Sequence, residues 1–176
     1  MTTGGVPMKI QVPLSNGYLP DAYTKHASAK YQLHHHPITS FPITFEDVPK
    51  TAVSLALVLL DDDAIPVCGF TYIHWVAANL PATLTELPEN ASQSDIVAMT
   101  HGNNSLAGNL VQETDPRLFQ HYLGPMPPDK EHQYQLTVYA VDQKLPLTDG
   151  FWLNQLYQQL EGHVLASASI KLPVKN

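Results

Sequence analysis

The amino-acid sequence predicts a mainly β fold with short helical turns and a single amphipathic helix near its C-terminal end. Fifteen prolines and nine glycines are scattered along the 176 residues, and they divide the chain into short extended pieces that disfavour long helices. Several stretches have the composition of strands, whereas only one has convincing helical spacing. A chain of this length buries roughly 70% of its unfolded surface, so we expect one domain over residues 1–176.

Four segments are predicted to be strands. Val53 to Leu60 is a continuous apolar run that ends at three aspartates, which is typical of a strand buried on both faces in the middle of a sheet. Tyr72 to Asn79 and Tyr134 to Val141 are rich in β-branched and aromatic residues. His163 to Leu172 alternates apolar with small polar residues before Pro173, as a closing strand would.

One helix is predicted near the C-terminal end. Asp149 or a neighbouring residue can cap its start, and Gly162 ends it. Its length is about three turns. The segment from Glu89 to Tyr122 is polar and has few periodic apolar residues, so we expect it to be mostly loop. The apolar face of the helix is formed by Trp152, Leu153, Leu156, Tyr157 and Leu160.

Charge and cysteine content exclude several classes of function. The formal net charge is −7, so the broad positive field that attracts nucleic acids is absent, and a bound anion must be held by a local pocket. Cys68 is the only cysteine, so no intramolecular disulfide can form. Met1 to Pro13 does not resemble a secretory signal, and no apolar run approaches the ~20 residues of a membrane span. We therefore expect a cytoplasmic protein without membrane insertion.

The first candidate site residues lie at the end of the buried strand. Side chains alternate along a strand, so Asp61 and Asp63 are expected to point together while Asp62 points away. A solvated turn is the favoured interpretation, and a hard-cation site is the alternative, although the run lacks the glycine and distal glutamate of a calcium loop. His74 stands within the next strand, where a histidine is more often a hydrogen-bonded core residue than a ligand.

The second group follows a proline-rich loop. The prolines between Gly124 and Pro128 stiffen the backbone, and Gly124 permits close approach to the main chain. His132 and Tyr134 then share one strand face about 7 Å apart. Either this loop is one wall of a pocket, or it is a rigid connection next to an edge histidine. The three histidines from 34 to 36 are interpreted as a solvated segment and Cys68 as a neutral, semi-buried thiol.

Six motifs follow one another in a characteristic order. They are Asp61-Asp62-Asp63-Ala64-Ile65-Pro66, His74-Trp75, Gly102-Asn103-Asn104-Ser105, Gly124-Pro125-Met126-Pro127-Pro128, His132-Gln133-Tyr134 and Gly162-His163-Val164-Leu165-Ala166. In this order they resemble the phosphatidylethanolamine-binding protein family, and the last resembles its bacterial, Raf-kinase-inhibitor-like branch. Gln133 departs from the family pattern, because many relatives have arginine there.

The resemblance implies a two-sheet antiparallel Greek-key β-sandwich with a core over about residues 38–172. It also implies a pocket near one end that holds phosphate-like or carboxylate-like anions, as a phospholipid headgroup does, with no enzymatic activity, cofactor or metal. A hypothesis for Asp61 is that it raises the proton affinity of a histidine, so that anions bind more strongly below about pH 6.5. The ligand-binding residues implied are Asp61, His74, Tyr122, Gly124, Pro128, His132 and Tyr134.

Two other functions stay open at this point. Some members of the family inhibit kinases or proteases, so a protein partner is one alternative, and an exposed apolar rim around the pocket would favour it. A metal-assisted hydrolase using Asp61, Asp63, His74 and His132 is the other, although the sequence lacks a Gly-x-Ser-x-Gly elbow and a His-Glu-x-x-His helix. A homodimer is also left open, because the edge of a β-sandwich gives no local signal of pairing.

Overall fold

Strands form where the sequence predicts them, and short helices join them. The computed structural model describes residues 7–176. Its strands are β1 (Lys9–Gln11), β2 (Gln32–Leu33), β3 (His36–Pro37), β4 (Ile43–Glu46), β5 (Ser54–Asp61), β6 (Tyr72–Pro81), β7 (Glu86–Leu87), β8 (Thr100–His101), β9 (His132–Val141) and β10 (Val164–Val174). Its α-helices are α1 (Ile65–Cys68), α2 (Pro116–Phe119) and α3 (Leu153–Leu160), and 3-10 turns lie at Asp21–Tyr23, Ala29–Tyr31 and Ser105–Ala107.

The strands form two main antiparallel sheets, as expected for this fold class. The larger sheet has the order β10-β9-β5-β6-β8, the smaller has the order β1-β4-β7, and β2 pairs with β3 in a separate hairpin. All of these strand pairs are antiparallel. The prediction of a mainly β, antiparallel protein is confirmed, and β5 lies at the centre of the larger sheet as its apolar sequence predicts.

The central strand is buried on both faces because different layers cover its two sides. Leu55, Leu57 and Leu59 pack into the main core between the two sheets. Ala56 and Val58 point to the opposite face and belong to a second core beneath α3. Both faces must therefore be apolar, which explains the uninterrupted apolar run in the sequence.

The C-terminal helix is shorter than predicted and begins differently. It has 8 residues, a little over two turns at 3.6 residues per turn, instead of three. Trp152 is its N-terminal cap residue, and the backbone N–H of Trp152 donates to Gln155 Oε1 at 2.8 Å. Asp149 is not the cap, because its Oδ1 accepts a hydrogen bond from the backbone N–H of His101 at 2.8 Å. The left-handed Gly162 follows the helix as predicted.

Two further expectations are met with small differences. The closing strand extends two residues past Leu172, through Pro173 to Val174, because the proline lies in an edge strand, where a missing N–H is tolerated. The segment from Glu89 to Tyr122 is mostly irregular, with only β8, α2 and one 3-10 turn inside it. Among residues 7–176, the longest helix falls far short of what crossing a bilayer would take.

Antiparallel pairing brings one end of three neighbouring strands together. Asp61 at the end of β5 pairs with Tyr72 at the start of β6. On the other side, Leu60 pairs with Gln135 near the start of β9. Residues far apart in the sequence therefore meet at this end of the larger sheet, where the loop before β9 also passes.

Candidate functional site

A cavity of about 220 Å³ opens at this end of the larger sheet. Its walls come from the end of β5, the helix α1, the start of β6, the loop before β9 and the start of β9. It is mostly apolar, with a few polar side chains, as small-molecule sites usually are. The lining residues are His36, Asp61, Ala64, Val67, Cys68, Tyr72, His74, Leu123, Gly124, Met126, Pro128, His132 and Tyr134.

The aspartates at the end of β5 have separate roles. Asp61 is buried, and its Oδ2 lies 2.7 Å from Nδ1 of His132. Asp63 also faces β9, where its Oδ2 accepts a hydrogen bond from the backbone N–H of Gln133 at 2.8 Å. Asp62 instead accepts a hydrogen bond from the hydroxyl of Thr71 at 2.7 Å. The expected division of the three side chains is therefore present, and it ties the end of β5 to the start of β9.

His132 is held between two carboxylates. Its Nδ1 lies 2.7 Å from Asp61 Oδ2, and its Nε2 lies 2.9 Å from Asp129 Oδ1. Burial of the ring lowers its pKa, but the hydrogen bonds to Asp61 and Asp129 and their charges outweigh burial, so the pKa of His132 is raised. A carboxylate can only accept, so both ring nitrogens donate and the ring is an imidazolium. The positive charge of His132 offsets the negative charge of Asp61.

His74 has the opposite character. The residue is 5% exposed, and its Nδ1 donates to the carbonyl oxygen of Leu123 at 2.8 Å. The backbone N–H of Leu123 in turn donates to the carbonyl of His74 at 2.9 Å, so strand and loop are fastened together. Burial lowers the pKa of His74 to about 4, although Leu123 and Asp61 act in the opposite direction. His74 is therefore neutral at pH 7.

Two tyrosines flank the ring of His74. The ring centroids of Tyr72 and Tyr134 lie 5.1 and 5.0 Å from that of His74. Burial and then the neighbouring Asp61 carboxylate raise the pKa of Tyr134, and burial raises the pKa of Tyr72. Both phenols stay protonated at neutral pH, so each can donate a hydrogen bond.

The loop before β9 is fixed by its glycine and by contacts with the N-terminal part of the chain. The backbone N–H of Gly124 donates to the carbonyl of Pro37 at 2.8 Å. A Cβ atom at this position would lie 2.6 Å from Cβ of Pro37 and 2.7 Å from the carbonyl oxygen of Tyr23, so only glycine fits. Lys25 Nζ donates to the carbonyl of Pro127 at 2.6 Å. The loop lines the cavity through Gly124, Met126 and Pro128, which matches the pocket-wall alternative of the two left open by the sequence.

Comparison with known proteins decides the family. The family model described as phosphatidylethanolamine-binding protein matches residues 9–175. The chain belongs to the phosphatidylethanolamine-binding protein family. Among its relatives, YxkA of Bacillus subtilis is 52% identical over 158 residues, which cover 90% of this chain and 94% of that protein. A UPF0098 protein of Chlamydia pneumoniae is 39% identical over 132 residues, which cover 73% of this chain and 77% of that protein.

Solved structures agree with this assignment. The crystal structure of the phosphatidylethanolamine-binding protein homolog CT736 from Chlamydia trachomatis has a TM-score of 0.77 at 26% identity, covering 97% of this chain and 98% of that one. The structure of Escherichia coli YbcL has a TM-score of 0.74 at 22% identity, covering 97% of this chain and 99% of that one. At the latter identity the likeness establishes the fold alone.

Most of the residues predicted for the pocket of this family member line one cavity, and one does not. Asp61, His74, Gly124, Pro128, His132 and Tyr134 all line it. Tyr122 is not among its lining residues, because its side chain is fully buried in the main core and its hydroxyl donates to the carbonyl of Tyr23 at 2.7 Å. The hydroxyl of Tyr122 is therefore used within the core and cannot serve a ligand.

Sequence reasoning missed several lining residues. Tyr72 could have been found, because it stands two residues before His74 and so shares its strand face. His36 was assigned to a solvated segment, yet it lies in β3 and its Nδ1 is buried without a partner. Cys68 is exposed rather than semi-buried and lies at the end of α1, a helix that was interpreted as part of a turn.

Within residues 7–176, no group of three or more histidine, cysteine, aspartate or glutamate side chains is placed to hold a metal ion. Asp61 and Asp63 both face β9, but each already accepts a hydrogen bond from a neighbouring group. The arrangement therefore offers no specific observation in favour of the hydrolase alternative.

Proposed function

We propose that this protein is a non-catalytic binding protein for a small phosphate-type or carboxylate-type anion, such as the headgroup of a phospholipid. One observation supports this most directly: His74, His132, Tyr134 and Asp61, which are distant in sequence, converge on a single cavity. Only a local site of this kind can hold an anion on a chain whose formal net charge is −7.

The polar side chains that line the cavity favour an anion more than the presence of the Asp61 carboxylate suggests. Asp61 would repel an anion by itself, but the imidazolium of His132 lies 2.7 Å from it and offsets its charge. The phenols of Tyr72 and Tyr134 line the cavity and can donate, although the hydroxyl of Tyr134 also lies within reach of the Asp61 carboxylate. The neighbouring apolar residues exclude water, and a low local dielectric strengthens any hydrogen bond made there.

The size of the cavity limits the ligand. A volume of about 220 Å³ is below the roughly 300–1,000 Å³ of clefts that enclose drug-sized molecules. The cavity fits an anionic head with a few attached atoms, and a longer tail would extend across the apolar side of the mouth. The lining residues Val67 and Met126 are exposed there.

The test is phosphate binding to the intact protein by calorimetry, together with crystals grown in phosphate. We expect a single site, with electron density between His74 and His132. His74→Ala should abolish both the heat of binding and the density while the protein still melts cooperatively. His163→Ala is the matched control, because His163 is exposed and pairs with Asp142 at a distance from the cavity. Absence of phosphate, phosphoester and carboxylate binding to the wild-type protein would refute the proposed function.

A protein partner is the second candidate, and the rim of the cavity favours it. Val67 and Met126, which line the cavity, are 48% and 41% exposed, and Ile65 and Phe70, which are close to Val67 in the chain, are 46% and 48% exposed. Exposed apolar side chains grouped around a pocket are typical of an interaction surface. Phe70→Ser should weaken binding to such a partner, a kinase or a protease, while phosphate still binds, because Phe70 does not line the cavity. Equal inhibition of the target by wild type and variant would count against this candidate.

A further inference from the structure

The polar wall of the cavity has a proton acceptor where a simple anion would need a donor. Nδ1 of His74 lies 2.8 Å from the carbonyl oxygen of Leu123. A carbonyl oxygen can only accept, so Nδ1 carries the proton. In the neutral ring, Nε2 therefore presents a lone pair, which repels a fully deprotonated anion and attracts a ligand that brings an O–H group.

The other charged side chains do not supply the missing donor. Both ring nitrogens of His132 already donate to carboxylates, one to Asp61 and one to Asp129. Asp61 offers only acceptor oxygens, one of which accepts from the backbone N–H of Ala64 at 3.2 Å. The phenols of Tyr72 and Tyr134 are neutral donors beside His74. None of these charged groups therefore has an N–H free for a ligand, whereas Nε2 of His74 remains an acceptor without a hydrogen bond of its own.

We propose that the site takes its anion together with one proton, shared between a ligand oxygen and Nε2 of His74, and so selects monoprotonated oxyanions of the hydrogen-phosphate or phosphomonoester class. This inference rests on the proposed anion-binding function. An anion that carries no proton can bind only if His74 takes one from solvent. The shared proton comes either on the ligand or from the buffer, and no bond between heavy atoms is made or broken.

The groups that face His74 determine the sign of the effect. Burial keeps the empty ring neutral, with a pKa of about 4, and the charge of His132 acts in the same direction while Asp61 opposes both. A bound anion raises this pKa, so between the pKa of the empty site and that of the occupied site the complex holds one proton more than the free protein. In that range the affinity for an anion without a proton falls about tenfold per pH unit as pH rises.

Phosphate and sulfate provide the test, because both are tetrahedral oxyanions but only phosphate keeps a proton near neutral pH. Their binding to the wild-type protein is measured by calorimetry from about pH 5.5 to about pH 7.5, in buffers of different ionisation enthalpy, which count the protons taken up. We expect sulfate to bind with uptake of about one proton per site and to weaken about tenfold per pH unit. Phosphate should bind more tightly at about pH 7.5, without the same loss of affinity.

His74→Gln separates the proton from the shape of the site. The glutamine amide has an N–H donor that needs no proton from solvent, so sulfate binding to this variant should lose its pH dependence. His163→Gln, at an exposed position, should keep the wild-type pattern. If His74→Gln does not melt cooperatively, the proton count on the wild-type protein decides alone.

The outcomes distinguish this inference from the function on which it rests. Sulfate and phosphate binding with equal affinity and without proton uptake would overturn the inference and leave the anion site intact. Failure of both anions to bind would refute the anion site itself, and the inference with it.

Discussion

His132 donates both ring N–H groups to carboxylates whose surroundings differ. Asp61 is 4% exposed in its side chain, whereas Asp129 is 49% exposed. The buried partner fixes the ring inside the site, and the exposed partner stabilises its positive charge from the solvent side. Asp129 therefore helps to keep His132 charged, and through it the negative charge of Asp61 is offset next to the cavity.

Asp129→Asn tests this role, because asparagine can still accept a hydrogen bond but carries no charge. The pKa of His132, followed by NMR, should fall in the variant, so the ring loses its charge at a lower pH than in the wild type. A histidine whose pKa is higher in the folded than in the unfolded protein stabilises the fold at pH values below its unfolded-state pKa. This contribution is lost as the pH rises through the folded-state pKa. The variant should therefore lose a little unfolding free energy near pH 6, since one partner is half exposed, and less in alkaline solution.

A matched control for this change is Asp142→Asn, which removes the carboxylate from the pair with His163. Both side chains of that pair are about 40% exposed, so its loss should change stability little. The signal of His132 should not move in this variant. An unchanged pKa of His132 in Asp129→Asn would contradict the role assigned to Asp129.

Individual site residues differ in how far the sequence could locate them. His132 and Tyr134 follow from strand alternation, and Tyr72 would have followed from the same rule applied to His74. Tyr122 could not be placed, because a tyrosine beside a pocket loop has the same sequence signal whether its hydroxyl faces a ligand or the carbonyl of Tyr23. Its position depends on how the N-terminal segment packs against it, and no local sequence pattern predicts that packing.

Among the elements, α3 covers the face of the larger sheet that turns away from the main core. Leu156 and Leu160 are buried there against β5 and β6 residues such as Val58 and Val76. Asp61 and His132, which line the cavity, lie instead at the ends of strands. The helix should therefore stabilise the sheet without contributing to the ligand.

Leu156→Ala tests whether α3 stabilises the sheet without affecting ligand binding. The side chain of Leu156 is 0% exposed, and its truncation leaves a cavity beneath the helix, so the unfolding free energy should fall by roughly 2–5 kcal/mol in urea titrations. Phosphate affinity below the unfolding transition should stay unchanged. Tyr157→Ala, at a position 41% exposed, should cost much less. A large loss of phosphate affinity in folded Leu156→Ala protein would show that the helix supports the site.

The elements themselves were largely predictable, because strand and helix periodicities are local. The predicted strands and the helix are present with boundaries shifted by one to a few residues. The cap of α3 was wrong for a non-local reason: Asp149 is engaged by the backbone of His101, which lies in β8. The helix α1 was interpreted as a turn because four residues are too few to show helical periodicity.

At the scale of the whole molecule, the site exists because three antiparallel neighbours present the same end. The motifs show which residues belong together, but their convergence depends on the order β9-β5-β6 and on its register. That order depends on contacts between residues more than 60 positions apart, such as the one between Asp61 and His132. Periodicity alone could not predict it, whereas the family resemblance could.

Buried neutral histidines also make the stability of the whole molecule sensitive to acid. Burial is the main cause that lowers the pKa of both His74 and His101 to about 4. It also lowers the pKa of His36 and of His121, whose ring packs against that of His101 at a centroid distance of 4.2 Å. An unfolded histidine has a pKa near 6.5, so between these values the unfolded chain binds protons that the folded protein excludes, and stability falls as pH falls.

We therefore expect the unfolding free energy to decrease steadily from about pH 6.5 to about pH 4 in urea titrations, by on the order of 2–3 kcal/mol through His74 alone. His101→Gln should make the dependence shallower, because one group that takes up a proton on unfolding is removed, while the exposed His26→Gln serves as control. Saturating sulfate, which brings no proton, should flatten it further, because an occupied site then lets His74 keep a proton in the folded state. A stability that is constant across this range would show that these rings titrate alike in the folded and unfolded chain, and would contradict a neutral His74 in the empty cavity.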